Sequence, residues 1–523
     1  MTDSEVIQLK AALRFLMIVL VLCIVFSCVP QQSFAQEVSS DEQDAEDISG
    51  LEILTDHTGV QAPSLLFDGN LLIGRICNDA VSLTLESETG IGSLYFIFGR
   101  EYGAYTVTDN TTGEAHTWGE TRFLHEFLDL ESVFGTAPTS VTVDFPQGGV
   151  WIYELFVFTP GQVPDFVQKW SEPAEDKTDL ILFSTHGDDE QLFFAGVLPY
   201  YAKERGYQVQ VVYLTDHRNN SQIRIHEMLN GLWAVGVDTY PVFGAYPDFR
   251  FDSMERCYSM FQAYGYSREH MLGYVVEQLR RFKPIVVVGH DFNGEYHHGQ
   301  HMVYADLLAD ALEISNDASY YPELAEQYGL WDVPKAYIHL YWENEIIMDW
   351  DQPLESFDGM TAFEVTQKLG FPCHVSQQKD FGFWINPYKT AAELPEHSPC
   401  EYGLYRTTVG PDVQKNDFFE NVLSYAEQAE QAELEAARLA EEARKAEEAR
   451  LAEEARKAEE ARLAEEARLA EEAAQAQAHQ ALLAQQAQAE AVRRRNLLLG
   501  GAAGLALIYT AVFLILKRRK KIN

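Results

Sequence analysis

A strand-like run that ends in a charged cluster constrains this chain more than any other stretch. Residues 180–184 are apolar and predict a buried strand, and the sequence T-H-G-D-D-E follows directly at 185–190. Residues 191–201 are mostly apolar again and predict the start of a buried helix. A histidine and two aspartates therefore lie in a strand-to-helix turn, the place where open α/β sheets bind ligands.

His186 and Asp189 are three residues apart, so a single turn can direct both side chains at one metal ion. Asp188 need not be a ligand, and it would then be free to act as a base. A simpler interpretation is that these acidic residues only cap the helix, because Asp and Glu are favoured in a first turn. Capping accounts for the carboxylates but not for the histidine.

A second strand-like run carries a similar cluster. Residues 284–289 are rich in β-branched side chains and predict a buried parallel strand, which is followed by a histidine-rich segment at 290–301. Within it, His298 and His301 are three apart at a predicted helix start, which brings both rings to one side. A wet polar loop or a histidine-rich metal scavenger would also cluster histidines. Neither explains two clusters at two strand ends, which meet at one edge of a sheet.

The two motifs together resemble those of the LmbE-like/PIG-L deacetylase family. That family carries (A/P)-H-P-D-D-E after its first strand and H-D-x-N-G-x-Y-x-H-x-x-H later in the chain. Here the matching stretches are T-H-G-D-D-E at 185–190 and H-D-F-N-G-E-Y-H-H-G-Q-H at 290–301, within a resemblance that covers roughly residues 178–420. Members of the family are zinc-dependent amidases that remove the acetyl group from N-acetylglucosamine units in larger conjugates.

The resemblance implies a zinc site and a base in this chain. It assigns three residues to the metal and a fourth, beside one of them, to proton transfer. The implied zinc ligands are His186, Asp189 and His301, and the implied general base is Asp188.

Three further residues acquire roles from the same resemblance. His298 would be the cationic partner of the transition state, Tyr296 would reach the oxyanion, and Arg224 would contact the substrate. Two positions depart from the family pattern. Gly187 replaces the usual proline and is expected to loosen the turn. Gln300 replaces an aspartate that many members have, which leaves open what orients His298.

Composition limits the classes of function. The 523 residues provide room for several domains, and the 46% hydrophobic and 12% aromatic content supports large cores. A formal net charge of −41 argues against nucleic-acid binding, which requires a basic surface. Six cysteines are too few for a disulfide scaffold, and none is arranged as C-x-x-C, so a cysteine zinc site is not expected.

The first 49 residues predict export followed by a linker. Lys10 and Arg14 precede the apolar residues 15–26, and S-F-A at 33–35 fits a signal-peptidase site, so residues 1–35 are interpreted as a signal peptide. A lipoprotein modified at Cys28 and an uncleaved signal anchor are alternatives. Residues 36–49 are acidic and serine-rich and predict a disordered linker.

Residues 50–170 contain short alternating runs separated by Gly, Asn and Pro, which predict a β-sandwich. The stretches L-F-D-G-N at 66–70 and I-Y-E-L-F-V-F-T-P-G at 152–161 resemble a discoidin or galactose-binding-like jelly roll. Such domains often bind sugars. A module that only braces the catalytic domain fits equally, because a fold alone supplies no site.

Residues 178–420 alternate strands and helices, which predicts an α/β domain with a Rossmann-like parallel sheet. No G-x-G-x-x-G follows the first strand, so a dinucleotide is not supported. Five histidines are left without a role and are interpreted as surface or core residues: His217, His226, His297, His339 and His374.

Residues 425–495 are dominated by Ala, Glu, Arg, Leu and Gln, and A-E-E-A-R-(L/K) recurs every six residues. These are strong helix formers. A coiled coil requires a seven-residue apolar repeat, so the pattern favours a single charged helix that acts as a semi-rigid stalk.

Residues 497–516 predict a transmembrane helix, and the basic residues 517–523 predict a cytoplasmic tail. With the export signal, this orientation places the catalytic domain outside the cell membrane.

The sequence therefore predicts a membrane-anchored, zinc-dependent deacetylase whose partner is an N-acetylated sugar or glycoconjugate. One alternative is a non-catalytic glycan-binding surface protein, against which the complete set of ligands and base argues. The other, a metal-dependent hydrolase of a different amide or ester, stays open, as does the oligomeric state.

Overall fold

The computed structural model describes residues 43–70, 74–216 and 222–496. The predicted signal peptide, the transmembrane segment at 497–516 and the basic tail lie outside these ranges. Within them, no helix combines the length and the apolar character needed to cross a membrane. The chain divides into two compact units, one that runs to Ala426 and one that starts at Glu427.

The first part of the larger unit contains two antiparallel sheets, with strand orders β1-β3-β8-β5-β6 and β2-β9-β4-β7. In β3, β5 and β8, buried and half-buried residues alternate, as expected for sheets that share a core on one face. The strands are β1 Leu54–Thr58, β2 Arg75–Cys77, β3 Val81–Glu86, β4 Ser93–Phe98, β5 Tyr105–Asp109, β6 Ala115–Trp118, β7 His125–Asp129, β8 Ser140–Phe145 and β9 Val150–Phe158, with one short helix, α1 Leu130–Phe134.

The predicted disordered linker differs from the structure at its C-terminal end. Ala45 is buried, and its amide donates to the carbonyl of Gln162 at 2.9 Å. The amide of Ile48 donates to the carbonyl of Val157, also at 2.9 Å. These bonds pair residues 44–48 with the end of β9, so the ordered part of the chain starts before the predicted boundary at residue 50.

A seven-stranded sheet follows, in the order β12-β11-β10-β13-β14-β16-β15. The strands are β10 Leu180–Ser184, β11 Val209–Thr215, β12 Val242–Tyr246, β13 Val286–Gly289, β14 Lys335–His339, β15 Glu345–Ile347 and β16 Glu401–Thr407. The helices are α2 Asp189–Leu192, α3 Gln222–Ala234, α4 Met254–Ala263, α5 Arg268–Phe282, α6 Gly299–Ile314, α7 Pro322–Tyr328, α8 Ala362–Val365 and α9 Gln378–Phe381. Every residue of β10, β11 and β13 is buried, because helices cover both faces of the sheet.

The predicted α/β fold is confirmed, with one difference in the sheet. The neighbours from β12 to β14 pair in parallel, whereas β16 pairs antiparallel with both β14 and β15. Alternating strands and helices predict parallel pairing only where a helix connects the strands. Two short helices, α8 and α9, do lie between β15 and β16, yet these strands pair antiparallel, so the alternation did not predict the direction of β16.

The structure also differs from the prediction of one buried helix at 191–201, because the chain there is interrupted by a turn. Helix α2 ends at Leu192, and the chain turns at Gly196, which has a φ of +96°. A Cβ at that position would lie 2.4 Å from the Trp350 ring, so only glycine fits. The chain resumes as a π-helical turn at Pro199–Glu204.

The β-sandwich packs on the helix that carries Arg224. The Tyr95 hydroxyl and His125 Nδ1 are 2.8 Å apart, and His125 Nε2 is 2.8 Å from Nδ1 of His226 in α3. The ring of Phe123 stacks on Tyr240 with centroids 4.5 Å apart. The sandwich therefore braces one wall of the candidate site described below, and His226 is a core residue, as expected.

The described residues of the second unit belong to one long helix, α10 Tyr425–Asn496, of 72 residues, so the predicted helix is confirmed. Its arginines bridge the glutamates three residues before and four residues after them. Arg444, for example, lies 2.8 Å from Glu441 and 2.6 Å from Glu448. The six-residue repeat therefore produces a continuous ladder of ion pairs along an exposed helix.

A peptide of residues 425–496 is expected to form a monomeric helix whose helix content falls as NaCl rises to about 1 M, where the Debye length is about 3 Å. Circular dichroism with sedimentation analysis measures both properties. A control peptide with glutamine at the six bridging arginines is expected to be less helical at low salt and not to lose helix as NaCl rises, because salt then mainly screens the repulsion between its glutamates. Helix content that rises with peptide concentration would instead indicate a coiled coil.

Candidate active site

The two sequence motifs meet at one edge of the seven-stranded sheet. The first turn, at 185–190, connects β10 to α2, and the second, at 290–298, connects β13 to α6. Strands β10 and β13 are parallel neighbours, with Leu180 opposite Val286. Their carboxyl ends therefore place both motifs side by side, as expected.

Three ligand atoms converge between the two turns. His186 Nδ1 is 3.1 Å from Asp189 Oδ2 and 3.2 Å from His301 Nε2, and the last two atoms are 3.2 Å apart. All three side chains are buried. Tetrahedral zinc ligands about 2.0–2.1 Å from the metal lie about 3.3 Å from one another. The three predicted ligands thus form a face that fits a small divalent cation.

Hydrogen bonds on the far side of each ring fix the tautomer that a metal requires. His301 Nδ1 lies 2.7 Å from Glu295 Oε2, and His186 Nε2 lies 3.0 Å from Gln300 Oε1. When both of these nitrogens carry the hydrogen, the lone pairs of His301 Nε2 and His186 Nδ1 point at the shared centre. A carboxylate or amide behind a histidine commonly orients it in metal sites.

Gln300 is completely buried, and the orientation of its amide is fixed by three partners. Its Oε1 accepts from His186 and from the amide of Phe249 at 2.8 Å, and its Nε2 donates to the carbonyl of Pro247 at 2.9 Å. The sequence left open whether this position orients His298. The structure shows that Gln300 contacts His186 instead.

Glu295 connects the histidines of three segments. Its carboxylate lies 2.8 Å from His290 Nδ1, 2.7 Å from His301 Nδ1 and 2.6 Å from His339 Nδ1, and all four side chains are buried. Burial alone would raise the pKa of Glu295, but His290 and the other hydrogen-bonded rings outweigh it and hold the pKa well below its usual range. Glu295 is therefore an ionised acceptor for all three rings.

Two further groups of potential ligands also lie close together: His186, His298 and His301, and Asp189, His290 and His301. The Nε2 of His290, however, already accepts a hydrogen bond from the amide of Thr185 at 3.0 Å, and its Nδ1 faces Glu295. A metal at His290 would have to break the bond to Thr185. Because both ring nitrogens of His290 already have hydrogen-bond partners, His186 is favoured over His290 as the third ligand.

The electrostatics of the centre favour a positive charge. Burial lowers the pKa of His301, but Asp189 and Glu295 on its two sides outweigh burial and raise the pKa to about 10. Burial would raise the pKa of Asp189, yet His301 and His186 hold it well below the usual value. Both carboxylates thus stabilise a cation at this point, whether a proton or a metal ion.

Asp188 lies beside this face and is held by Arg224. An Arg224 amino group donates to Asp188 Oδ1 at 3.0 Å, and the other is 3.6 Å from Asp248 Oδ2. Burial raises the pKa of Asp188, and Arg224 partly offsets the rise. The sequence predicted that Arg224 contacts substrate, whereas the structure places it on the predicted base, with little of its side chain exposed.

His298 and Tyr296 border the centre from the second turn. The His298 ring packs edge-on against His186 with centroids 4.7 Å apart, and the Tyr296 ring is 5.5 Å from that of His301. Burial, together with the charges of His186 and His301, lowers the pKa of His298. These surroundings favour the neutral ring, which differs from the predicted cationic role.

Tyr296 has a φ of +43°, in the left-handed region that non-glycine residues rarely adopt. Its amide donates to His397 Nε2 at 3.1 Å, which holds this conformation. The neighbouring His297, also left without a role by the sequence, is exposed.

Gly187 is explained by close packing and not by a looser turn. A Cβ at this position would lie 2.0 Å from Met228 Sδ, and Met228 is completely buried in α3. Met228 therefore occupies the space that a larger residue at 187 would need.

Three residues of the site were not identified from the sequence: the buried Glu295 and His339, and the half-buried Asp248. Glu295 was part of the quoted motif, so its position between His290 and His298 in that motif was the available signal. His339 ends β14, and Asp248 follows β12. Each is thus also at the carboxyl end of a strand, which is a signal that could have been used.

Comparison with known proteins finds similarity to deacetylases in this part of the chain. Residues 181–312 match the family model PIG-L, described as GlcNAc-PI de-N-acetylase. A 1D-myo-inositol 2-acetamido-2-deoxy-alpha-D-glucopyranoside deacetylase of Catenulispora acidiphila is 24% identical over 178 residues, which are 30% of this chain and 54% of that protein. A second such deacetylase, from Saccharopolyspora erythraea, is 41% identical over 70 residues, 13% of this chain and 24% of that protein.

The chain thus spans about half the length of the first of these relatives and about a quarter of the second. Among solved structures, N,N'-diacetylchitobiose deacetylase from Pyrococcus horikoshii, complexed with its inhibitor MPG, is 17% identical. The alignment covers 44% of this chain and 83% of that chain, with a TM-score of 0.32. The family match and the curated relatives show that residues 181–312, within the α/β part of this chain, are similar to PIG-L deacetylases.

We expect one zinc ion to bind per chain, and His301→Ala to abolish stoichiometric binding, because it removes one of the three converging atoms. Metal analysis after dialysis of the purified proteins measures the stoichiometry. His297→Ala is the matched control, since it makes the same change at an exposed neighbour and should retain the metal. Unchanged stoichiometry in His301→Ala would contradict the assignment.

Proposed function

We propose that this protein is a zinc-dependent hydrolase that removes the acetyl group from N-acetylglucosamine-type amides of a glycan or glycoconjugate. The observation that carries the proposal is the convergence of His186 Nδ1, Asp189 Oδ2 and His301 Nε2 beside a buried carboxylate, Asp188, that is held by Arg224. Three protein ligands with an adjacent base are the usual layout of a catalytic zinc site. The PIG-L family match supports the reaction class.

The donor set suits zinc. Two imidazole nitrogens and one carboxylate oxygen are typical ligands of this metal, and the spacing of 3.1–3.2 Å agrees with tetrahedral geometry. Zinc would supply Lewis-acid polarisation of the acetamide carbonyl and a water of lowered pKa. His186, Asp189 and His301 would hold it.

The chain's own residues would perform the proton transfers. Asp188 accepts the proton from the attacking water and returns it to the departing amine nitrogen as the C–N bond breaks, which yields acetate and a free amine. Arg224 holds one carboxylate oxygen of Asp188 and leaves the other for the reaction. The raised pKa of Asp188 makes it a stronger base than an exposed carboxylate.

Tyr296 and His298 would stabilise the developing oxyanion. Burial first, and then the neighbouring Asp189 and Asp188, raise the pKa of Tyr296, so its hydroxyl keeps its hydrogen and can donate it. His298 would donate a hydrogen bond as a neutral ring and not as a cation, in agreement with its lowered pKa.

Asp188→Asn is expected to retain zinc while turnover falls by roughly 10²-fold or more, because the amide keeps the volume but cannot accept the proton. Acetate release from N-acetylglucosamine glycosides, measured beside the zinc content, tests both parts. Asp165→Asn is the matched control, since that exposed aspartate belongs to no part of the site. A variant that has lost its zinc would make Asp188 a ligand, and full activity would place the base elsewhere.

We also propose that the enzyme acts at the outer surface of a membrane. This proposal is supported by the sequence alone: the export signal at 1–35, the apolar segment at 497–516 and the basic tail at 517–523. The 72-residue helix would then be the stalk between the membrane and the catalytic unit.

Protease treatment of intact cells is therefore expected to release an active ectodomain by cleavage in or near the stalk. Deacetylase activity in the supernatant, measured with a cytoplasmic enzyme as the lysis control, provides the readout. Activity that stays protected until the cells are lysed would contradict this orientation.

A further inference from the structure

A cavity of about 440 Å³ opens directly beside the catalytic side chains. One part of its wall is formed by Tyr296 and His298, and another by Arg250 and Arg256, with one acidic residue, Asp252, between them in the sequence. Tyr296 and His298 belong to the proposed reaction centre, so a substrate bound there would extend past these two arginines. The mechanism above gives neither arginine a role.

Arg250 is an exposed cation without a nearby carboxylate in the described part of the chain. It is exposed in the segment that follows β12, and its guanidinium carbon lies 5.9 Å from the centroid of the Phe381 ring. Among residues 43–70, 74–216 and 222–496, no carboxylate oxygen lies within 4.0 Å of it. The chain has 80 acidic and 39 basic residues, so a basic residue without an acidic partner at the mouth of a cavity is unusual here.

Arg256 is weakly paired. Its Nη1 is 3.7 Å from Asp252 Oδ1, and both side chains are largely exposed, at 64% and 82%. Ion pairs of this kind, long and surrounded by water, contribute little. The other nearby carboxylate, Asp248, is already engaged by Arg224 at 3.6 Å and His186 at 3.5 Å. The acidic neighbours therefore leave the positive charge at the cavity largely uncompensated.

The segment that carries the arginines is fixed to the catalytic turn. The carbonyl of Phe251 accepts from the amide of Gly299 at 2.7 Å, and Gly299 directly follows His298. The Arg256 guanidinium lies 4.6 Å from the centroid of the Phe251 ring, which restrains it. The backbone that carries both arginines is thus held beside the reaction centre, which lowers the entropic cost of binding a ligand.

We infer that Arg250 and Arg256 form a subsite for an anionic substituent, a phosphate or a carboxylate, on the N-acetylated sugar. The inference rests on the proposed deacetylase function and specifies its substrate class. A guanidinium presents paired N–H donors that match both anions, and the resulting hydrogen bonds are charge-assisted. The position of the arginines beside Tyr296 assigns them to the part of the substrate next to the acetamide.

Acetate release by the zinc-loaded full chain tests the inference with four substrates. These are the neutral methyl N-acetylglucosaminide, the 1-phosphate and 6-phosphate of N-acetylglucosamine, and N-acetylmuramic acid, which carries a carboxylate. Wild type is expected to favour at least one anionic substrate by about tenfold in kcat/KM. Comparing kcat/KM for the two phosphorylated substrates with that for N-acetylmuramic acid shows which anion is preferred.

The variant Arg250→Gln/Arg256→Gln is expected to bring the ratio of anionic to neutral kcat/KM close to one, mainly through KM. Raising NaCl should lower the same ratio in wild type, because the arginines are exposed. Arg100→Gln is the matched control. It removes an exposed arginine of the β-sandwich and should leave the ratio unchanged.

Binding of the corresponding amines, measured by calorimetry, separates this inference from the proposed reaction. If no substrate is deacetylated but glucosamine 6-phosphate binds more tightly than methyl glucosaminide, and the double variant loses the difference, the reaction is wrong and the subsite stands. If wild type deacetylates the neutral glycoside as well as every anionic substrate, the subsite is overturned while the reaction stands. Equal binding of anionic and neutral amines by wild type likewise overturns the subsite.

Discussion

The hydrogen bonds between one buried carboxylate and three histidines determine the geometry of the candidate site. Glu295 accepts from His290 at the end of β13, from His301 in α6 and from His339 at the end of β14. Loss of the carboxylate would leave three buried N–H groups without an acceptor, at a cost of about 1–3 kcal/mol each. The same contact selects the tautomer in which His301 offers Nε2 to the metal. The packing of the sheet edge and the orientation of the metal ligand His301 therefore both depend on the carboxylate of Glu295.

Two further contacts extend this arrangement across the site. Gln300 orients His186 from the side opposite to Glu295, and Arg224 holds Asp188 beside the metal-binding face. Each of these polar groups is buried, where a fixed partner costs no reorganisation during the reaction. The β-sandwich contributes indirectly, because His125 packs on His226, two residues beyond Arg224 in the same helix. The catalytic geometry is thus supported by both parts of the larger unit.

The sequence predicted the position of the site and the α/β class because periodicity and short motifs are local signals. The two clusters follow recognisable strands, and parallel pairing brings their ends together. Contacts made across long sequence separations were not predictable in this way. The bonds of His339 to Glu295 and of Gln300 to His186 depend on how distant segments pack, as does the glycine turn at Gly196 against Trp350. The lowered pKa of His298 likewise arises from burial among other histidines, which no motif reveals.

The most direct test of this account is a crystal structure of the zinc-loaded protein with anomalous diffraction data on both sides of the zinc absorption edge. The account predicts one strong peak, about 2.0–2.2 Å from His186 Nδ1, Asp189 Oδ2 and His301 Nε2. Asp188 should remain bound to Arg224 and make no contact with the metal. A peak on His290 in place of His186, or direct coordination by Asp188, would contradict the assignment of ligands and base on which the proposed reaction depends.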